Sequence, residues 1–231
     1  MKKFHAKCFL ISLSDEYMLF DSGYPADFNA IMHSWPQLLY KYLLPVNIEP
    51  QDVCLNQLEK ENIKSEEIRY IFISHFHADH IGALRDFPKA RFVCSGQEYK
   101  RLKKFSVFKQ VSKGFVSKFL PDDFENRVIY IEDLQIVQDK IFPVCYALPF
   151  AEDIFAVALP GHTDGQFGLW LPRENTLLAA DSAWTKENYT DNSLPHWIGL
   201  HFCENAKSFR ETLELLKNLK NIKIILSHGD E

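Results

Sequence analysis

The hexapeptide His75-Phe76-His77-Ala78-Asp79-His80 sets four side chains of metal-ligand type within six residues, directly behind the apolar run Ile71-Phe72-Ile73. No other feature constrains the chain as much, because such a density of donors at a strand end is a chemical site. Ile68 to Ile73 is short, β-rich and almost continuously apolar, as expected of a strand buried on both faces. Beyond its end, extended chain sends alternate positions to one side, so His75, His77 and Asp79 are expected to converge. His80 faces elsewhere unless the chain turns, and Gly82-Ala83-Leu84-Arg85 reads as a turn into a short helix. Two diverging ligand sets from one loop fit two metal ions better than one. Imidazole and carboxylate donors suit Zn, Fe or Mn.

One loop cannot close two coordination spheres, so further ligands are expected at other strand ends. Asp153 to Leu159 reads as a strand and runs into Pro160-Gly161-His162-Thr163-Asp164-Gly165. Thr176 to Ala180 reads as another and ends in Asp181, and Lys223 to Leu226 ends in Ser227-His228-Gly229-Asp230. Each of these apolar runs delivers one ligand-type residue at the same end. Scattered structural histidines would rarely do so.

Together, H-x-H-x-D-H, P-G-H-T-x-G, a strand ending in Asp, a late S-H-G and the early Asp21-Ser22-Gly23 resemble the metallo-β-lactamase superfamily. The resemblance covers essentially the whole chain. It implies an α/β (α+β) fold, a four-layer αββα sandwich, with residues 1–231 as a single domain. It also implies one metal held by His75, His77 and His162 and a second by Asp79, His80 and His228, with Asp181 bridging. Asp21 would orient ligands by hydrogen bonds without binding metal. Two divalent ions are therefore the expected cofactors, Zn first, with Fe or Mn as alternatives. In such a centre a metal-bridging hydroxide attacks the substrate, and Asp79 and Asp181 are the carboxylates of the catalytic machinery.

Length and composition agree with this reading. The chain has 231 residues, 46% of them hydrophobic, with 19 Phe, enough for a substantial core. A net charge of −5 argues against a general nucleic-acid binder. No run approaches the roughly 18 to 20 apolar residues that span a bilayer. Lys7 and Asp15-Glu16 interrupt the early apolar stretch, so it reads as a first strand rather than an export signal. Five scattered cysteines without C-x-x-C spacing suggest reduced thiols and a cytoplasmic location. Strands are also expected near 4–13, 16–21, 91–94, 128–131, 134–138 and 141–147, with helices over Asp52–Asn62, from Gln97, and over Asn205–Leu219.

Substrate is narrowed by three segments. Asp181 to Tyr189 resembles the stretch after the bridging Asp in the N-acyl homoserine lactonase branch, which has Tyr where this chain has Trp184. An indole N–H can donate a hydrogen bond but cannot serve as a general acid, whereas Tyr189 would serve only if its loop turned inward. Asn192 to Phe202 gathers His196 and Trp197 in an aromatic loop that could roof a site. Lys100 to Lys118 holds seven basic residues, no acidic one and several Phe, and reads as a solvated face with buried Phe anchors. The expectation is a dinuclear hydrolase of a small ester-like molecule, most of all a lactone. A thioesterase, a phosphodiesterase or a weakly catalytic, metal-stabilised ligand-sensing protein are the alternatives. A small-molecule substrate is the expected partner, with no nucleic acid and no membrane. Leu38–Leu44 and the Phe-rich basic segment are candidate homodimer surfaces.

Overall fold

The computed structural model describes residues 5–14, 16–191 and 203–229. Two compact units emerge, one of Cys8–Ile129 and one of Met1–Lys7 with Tyr130–Glu231.

The first unit carries a five-stranded sheet in the order β1 (Phe9–Ser12), β2 (Tyr17–Phe20), β3 (Ile68–Phe72), β4 (Arg91–Cys94) and β5 (Val128–Tyr130), whose last residue falls at the unit boundary. β1 and β2 form an antiparallel hairpin, while β2, β3 and β4 run parallel with Phe20 opposite Phe72 and Phe72 opposite Val93. Parallel strands must be buried, and Ile71, Phe72 and Ile73 are fully so. The expected two-faced burial fails only at the entry to β3, where Arg69 is exposed and pairs with Glu16 at 3.3 Å. Phe20 stacks on Phe72 at 5.6 Å, and Phe76, Phe92, Phe115, Phe119 and Phe124 are all within 2% of full burial. Each such ring contributes about 1.5–3 kcal/mol to folding.

The insert between β2 and β3 folds into short helices, Gln37–Leu43 and Cys54–Lys60 among them. The basic segment divides into two helices, Gly96–Lys103 and Val107–Ser112. Ser95 and Ser106 cap them, each side-chain oxygen accepting a backbone N–H of the first turn. Within that segment Phe115 and Phe119 are buried as expected, but Phe108 is 52% exposed.

The second unit carries a six-stranded sheet in the order β11 (Lys223–Leu226), β10 (Thr176–Ala180), β9 (Phe167–Leu171), β8 (Phe155–Ala158), β7 (Cys145–Ala147) and β6 (Ile136–Val137). β9 is fully buried, and it is absent from the sequence expectations because Gly168 interrupts its apolar run. That glycine is a packing requirement, since a Cβ there would lie 2.6 Å from the Leu178 carbonyl oxygen. β10 and β11 are parallel, while β8 and β10 both pair antiparallel with β9 and so point the same way. The amphipathic helix Ala206–Asn218 buries Phe209, Leu213 and Leu216, as its spacing predicts, and Asn205 caps it. Among the described residues, no helix is long and apolar enough to cross a membrane.

Candidate functional site

In the first unit, parallel register brings the carboxyl ends of β2 and β3 together. Asp21 N–H donates to the Phe72 carbonyl at 2.8 Å, and Asp21 takes a left-handed φ of 61°, which Asp tolerates better than most residues. Its carboxylate is fully buried and accepts three hydrogen bonds. Ser74 N–H reaches Oδ1 at 2.8 Å, while the Ser74 hydroxyl and His80 Nδ1 each reach Oδ2 at 2.8 Å. Burial raises this carboxyl above its ordinary range, and the His80 and Ser74 contacts oppose that rise.

These bonds favour one tautomer of each neutral imidazole. In the neutral ring, His80 Nδ1–H donating to Asp21 puts the lone pair on Nε2. The Ser74 hydroxyl proton goes to Asp21, so at 3.0 Å its oxygen takes the Nδ1 proton of His75, and His75 also carries its lone pair on Nε2. Asp79 Oδ2 lies 3.5 Å from His80 Nε2, a separation at which two donors can share a cation. The rings of His77 and His80 lie 4.6 and 4.0 Å from that of His75. His80 turns because the helix starts earlier than expected, at Ala78, with His77 as its N-cap.

Three contributors escaped the sequence reading. Ser74 is the hinge of the network, and its place between strand and motif was the available signal. Gly114 has none: it is remote in sequence, yet at φ 72° it packs so tightly that a Cβ would lie 2.6 Å from His77 Cδ2. Tyr40 is the third. Its hydroxyl lies 2.9 Å from that of Tyr24, and burial, followed by the charge of Asp79, pushes its phenol above the ordinary range.

In the second unit, β8, β10 and β11 deliver their ligand-type residues at one end of the sheet, as expected. Asp181 follows Ala180, which has a left-handed φ of 49°, and is 3% exposed. Its Oδ2 lies 3.4 Å from His162 Nε2 and 3.2 Å from His228 Nε2. His228 Nδ1 lies 2.8 Å from the His5 carbonyl, which can only accept, so in the neutral ring Nε2 again bears the lone pair. A carboxylate oxygen between two imidazole nitrogens is a donor set for a divalent cation. His162 is fixed by a backbone clamp in which Glu204 and Asn205 N–H groups bond the carbonyls of His162 and Gly161. Gly161, at φ 134°, is obligatory: a Cβ would lie 2.2 Å from Phe209 Cα.

Trp184 is half-buried, its ring 6.1 Å from that of His162 and 6.0 Å from that of Phe209. It walls the imidazole. Tyr189 is 8% exposed and packs in the apolar cluster with Phe209 and Leu213. His196 and Trp197 lie outside the described residues. Cys203 is raised to about 12 by burial and then by the charge of Asp181. His and Asp side chains able to hold divalent metal are thus present in both units.

The family model of the metallo-beta-lactamase superfamily matches residues 2–228. The N-acyl homoserine lactonase AttM of Rhizobium johnstonii is 30% identical over 148 residues, 63% of this chain and 52% of that relative. The match thus spans about half the length of such relatives. An N-acyl homoserine lactone hydrolase with the product N-hexanoyl-L-homoserine bound at its catalytic metal center has a TM-score of 0.67 at 18% identity, over 96% of this chain and 80% of that one. AidC, a dizinc quorum-quenching lactonase in complex with the same product, has a TM-score of 0.66 at 17% identity, over 95% and 70%. At such identities the likeness is one of fold.

Proposed function

This chain belongs to the metallo-β-lactamase superfamily, and from that premise we propose that it is a dinuclear metal-dependent hydrolase of a small ester-like substrate, first of all a lactone. The observation that carries the proposal is the common commitment of Nδ1: His75, His80 and His228 each turn Nδ1 to a protein oxygen, the arrangement of an imidazole that binds metal through Nε2. In this reading His75, His77 and His162 hold one ion, Asp79, His80 and His228 the other, and Asp181 is shared. Zn is the expected metal, with Fe or Mn as alternatives. Two such ions, when bound, supply water activation near neutral pH and polarisation of the scissile carbonyl.

The protein's own part is positional. Asp21 and Ser74 hold two imidazoles in the ligand tautomer, which raises their basicity. Asp79 and Asp181 supply the negative charge that two divalent ions require. Trp184 shapes the wall beside His162 and offers an N–H donor without a transferable proton. All five cysteines are thiols, which suits a reducing compartment such as the cytoplasm.

The test is a panel of lactones, thioesters, phosphodiesters and β-lactams on Zn-, Mn- and Fe-loaded protein. Lactone turnover is expected, and it should rise in Trp184→Tyr, which restores a phenol hydroxyl. Trp184 is also the feature that favours a second reading, a metal-stabilised ligand-sensing protein. No turnover of any class by fully loaded protein would decide for that reading and against ours.

A further inference from the structure

Among the described residues of the first unit, six of the seven exposed large apolar side chains fall in two segments: Trp35 and Leu43 at 68% exposure, Tyr42 at 77%, Phe108 at 52%, Val107 at 47% and Leu44 at 42%. Isolated exposed apolar residues need no explanation, but these are gathered. The Trp35 and Phe108 rings lie 6.0 Å apart, and helices Gln37–Leu43 and Val107–Ser112 pack against each other. The segments that carry them are cationic. Residues 28–48 hold a single Lys and no carboxylate, and residues 99–121 hold seven Lys and Arg and no carboxylate, in a chain of net charge −5. Of those seven, Arg101 and Lys103 face Glu98 and Glu125. Lys118 Nζ donates to Ser34 Oγ at 3.0 Å, beside Trp35, and Lys109 Nζ lies 3.9 Å from the Phe105 ring centre.

We propose that this face, Trp35, Tyr42, Leu43, Leu44, Val107 and Phe108 with its surrounding lysines, docks on an anionic lipid bilayer surface. Trp and Tyr beside Leu and Phe match the boundary between headgroups and acyl chains, and lysines with long apolar stems match anionic headgroups. A second copy of the chain fits worse, because it would set one cationic rim against another. Such a partner lies beyond the sequence expectations, for a reason invisible in the sequence. Trp35 and Phe108 are distant in the chain, and only the packed helices make one face of them.

The same elements border the metal-ligand loop. Helix Gln37–Leu43 turns Tyr40 inward while Tyr42 and Leu43 face out, and the segment following Val107–Ser112 places Gly114 against His77. A docked protein would thus present that loop close to the lipid surface, which on the hydrolase reading gives it access to ester substrates that partition there.

Docking is testable without any assay of turnover, so its failure is separable from failure of the hydrolase reading. The full-length, metal-loaded protein is sedimented with vesicles of phosphatidylcholine alone or mixed with phosphatidylglycerol, at low and high salt. Binding is expected to the mixed vesicles, weakened by salt. The double variant Trp35→Ser/Leu43→Ser should reduce it about tenfold or more. Hydrolysis of a short, freely soluble ester by that variant should be unchanged. The proposal is overturned if mixed vesicles fail to bind at low salt, or if the double variant binds as wild type does. It is also overturned by a dimer that the double variant dissolves, which would give the face to a second copy. Retention by polyglutamate without retention by vesicles would give it to an acidic polypeptide.

Discussion

Asp21→Asn tests the orienting role of a buried carboxylate with the least change of shape. Asparagine has the same shape and also tolerates the left-handed φ of 61°, so neither packing nor backbone strain changes. What changes is acceptor capacity. The carboxylate satisfies Ser74 N–H through Oδ1 and both the Ser74 hydroxyl and His80 Nδ1 through Oδ2, each at 2.8 Å. An amide has one oxygen. With it in the Oδ2 position, its NH2 faces the Ser74 N–H; with it in the Oδ1 position, its NH2 faces His80 and drives that ring to the wrong tautomer. Either way at least one fully buried donor loses its partner, at a cost of about 1–3 kcal/mol. For a chain of this size that lowers the melting midpoint of the chelator-treated protein by about 2–4 °C per kcal/mol. Misorientation of His80 should weaken metal binding by about 10–100-fold. Thermal denaturation of metal-free protein gives the first figure and competition with a chromophoric chelator the second. Unchanged metal affinity in Asp21→Asn would refute the claim that this carboxylate sets the ligand tautomer.

Two glycines should fail differently. In Gly114→Ala the new Cβ meets the His77 ring, which can swing aside, so metal affinity should fall more than the stability of the metal-free protein. In Gly161→Ala the Cβ meets backbone atoms of Phe209, which cannot, so soluble protein should be lost altogether. Expression yield and chelator competition separate the two. A third expectation concerns alkali. Burial, followed by the charge of Asp139, raises Cys145 from 9.0 to about 11. The unfolded thiol then ionises first. This contribution is intact below about pH 9 and is lost progressively as pH climbs through 11. Urea titrations at both ends should show a flatter pH dependence in Cys145→Ala, and an identical slope would contradict the assignment.

Legibility in the sequence followed the range of the interactions. β4, β10 and β11 have the bounds expected around their apolar runs, and helix Ala206–Asn218 obeys its periodicity, because each is fixed by a local pattern. The ligand-type residues were legible for the same reason, each standing just past a strand end. The start of the ligand helix at Ala78 was not, since it depends on Ala78 N–H donating to the Gly114 carbonyl, far along the chain. β9 was missed because Gly168 weakens its pattern while the neighbouring Leu178 backbone demands it. Tyr40 and the exposed Trp35–Phe108 face arise only from packing of the insert, for which sequence offers turn signals and little else.

The account depends most on imidazoles and carboxylates holding two metal ions in common. Elemental analysis of purified protein, wild type beside Asp181→Ala, tests this directly. Two divalent transition-metal ions per chain are predicted for wild type, and a clear loss in the variant, whose His162 and His228 Nε2 atoms no longer face a shared carboxylate oxygen. A wild-type chain that binds no stoichiometric metal, or an Asp181→Ala chain that keeps both ions as tightly, would contradict it.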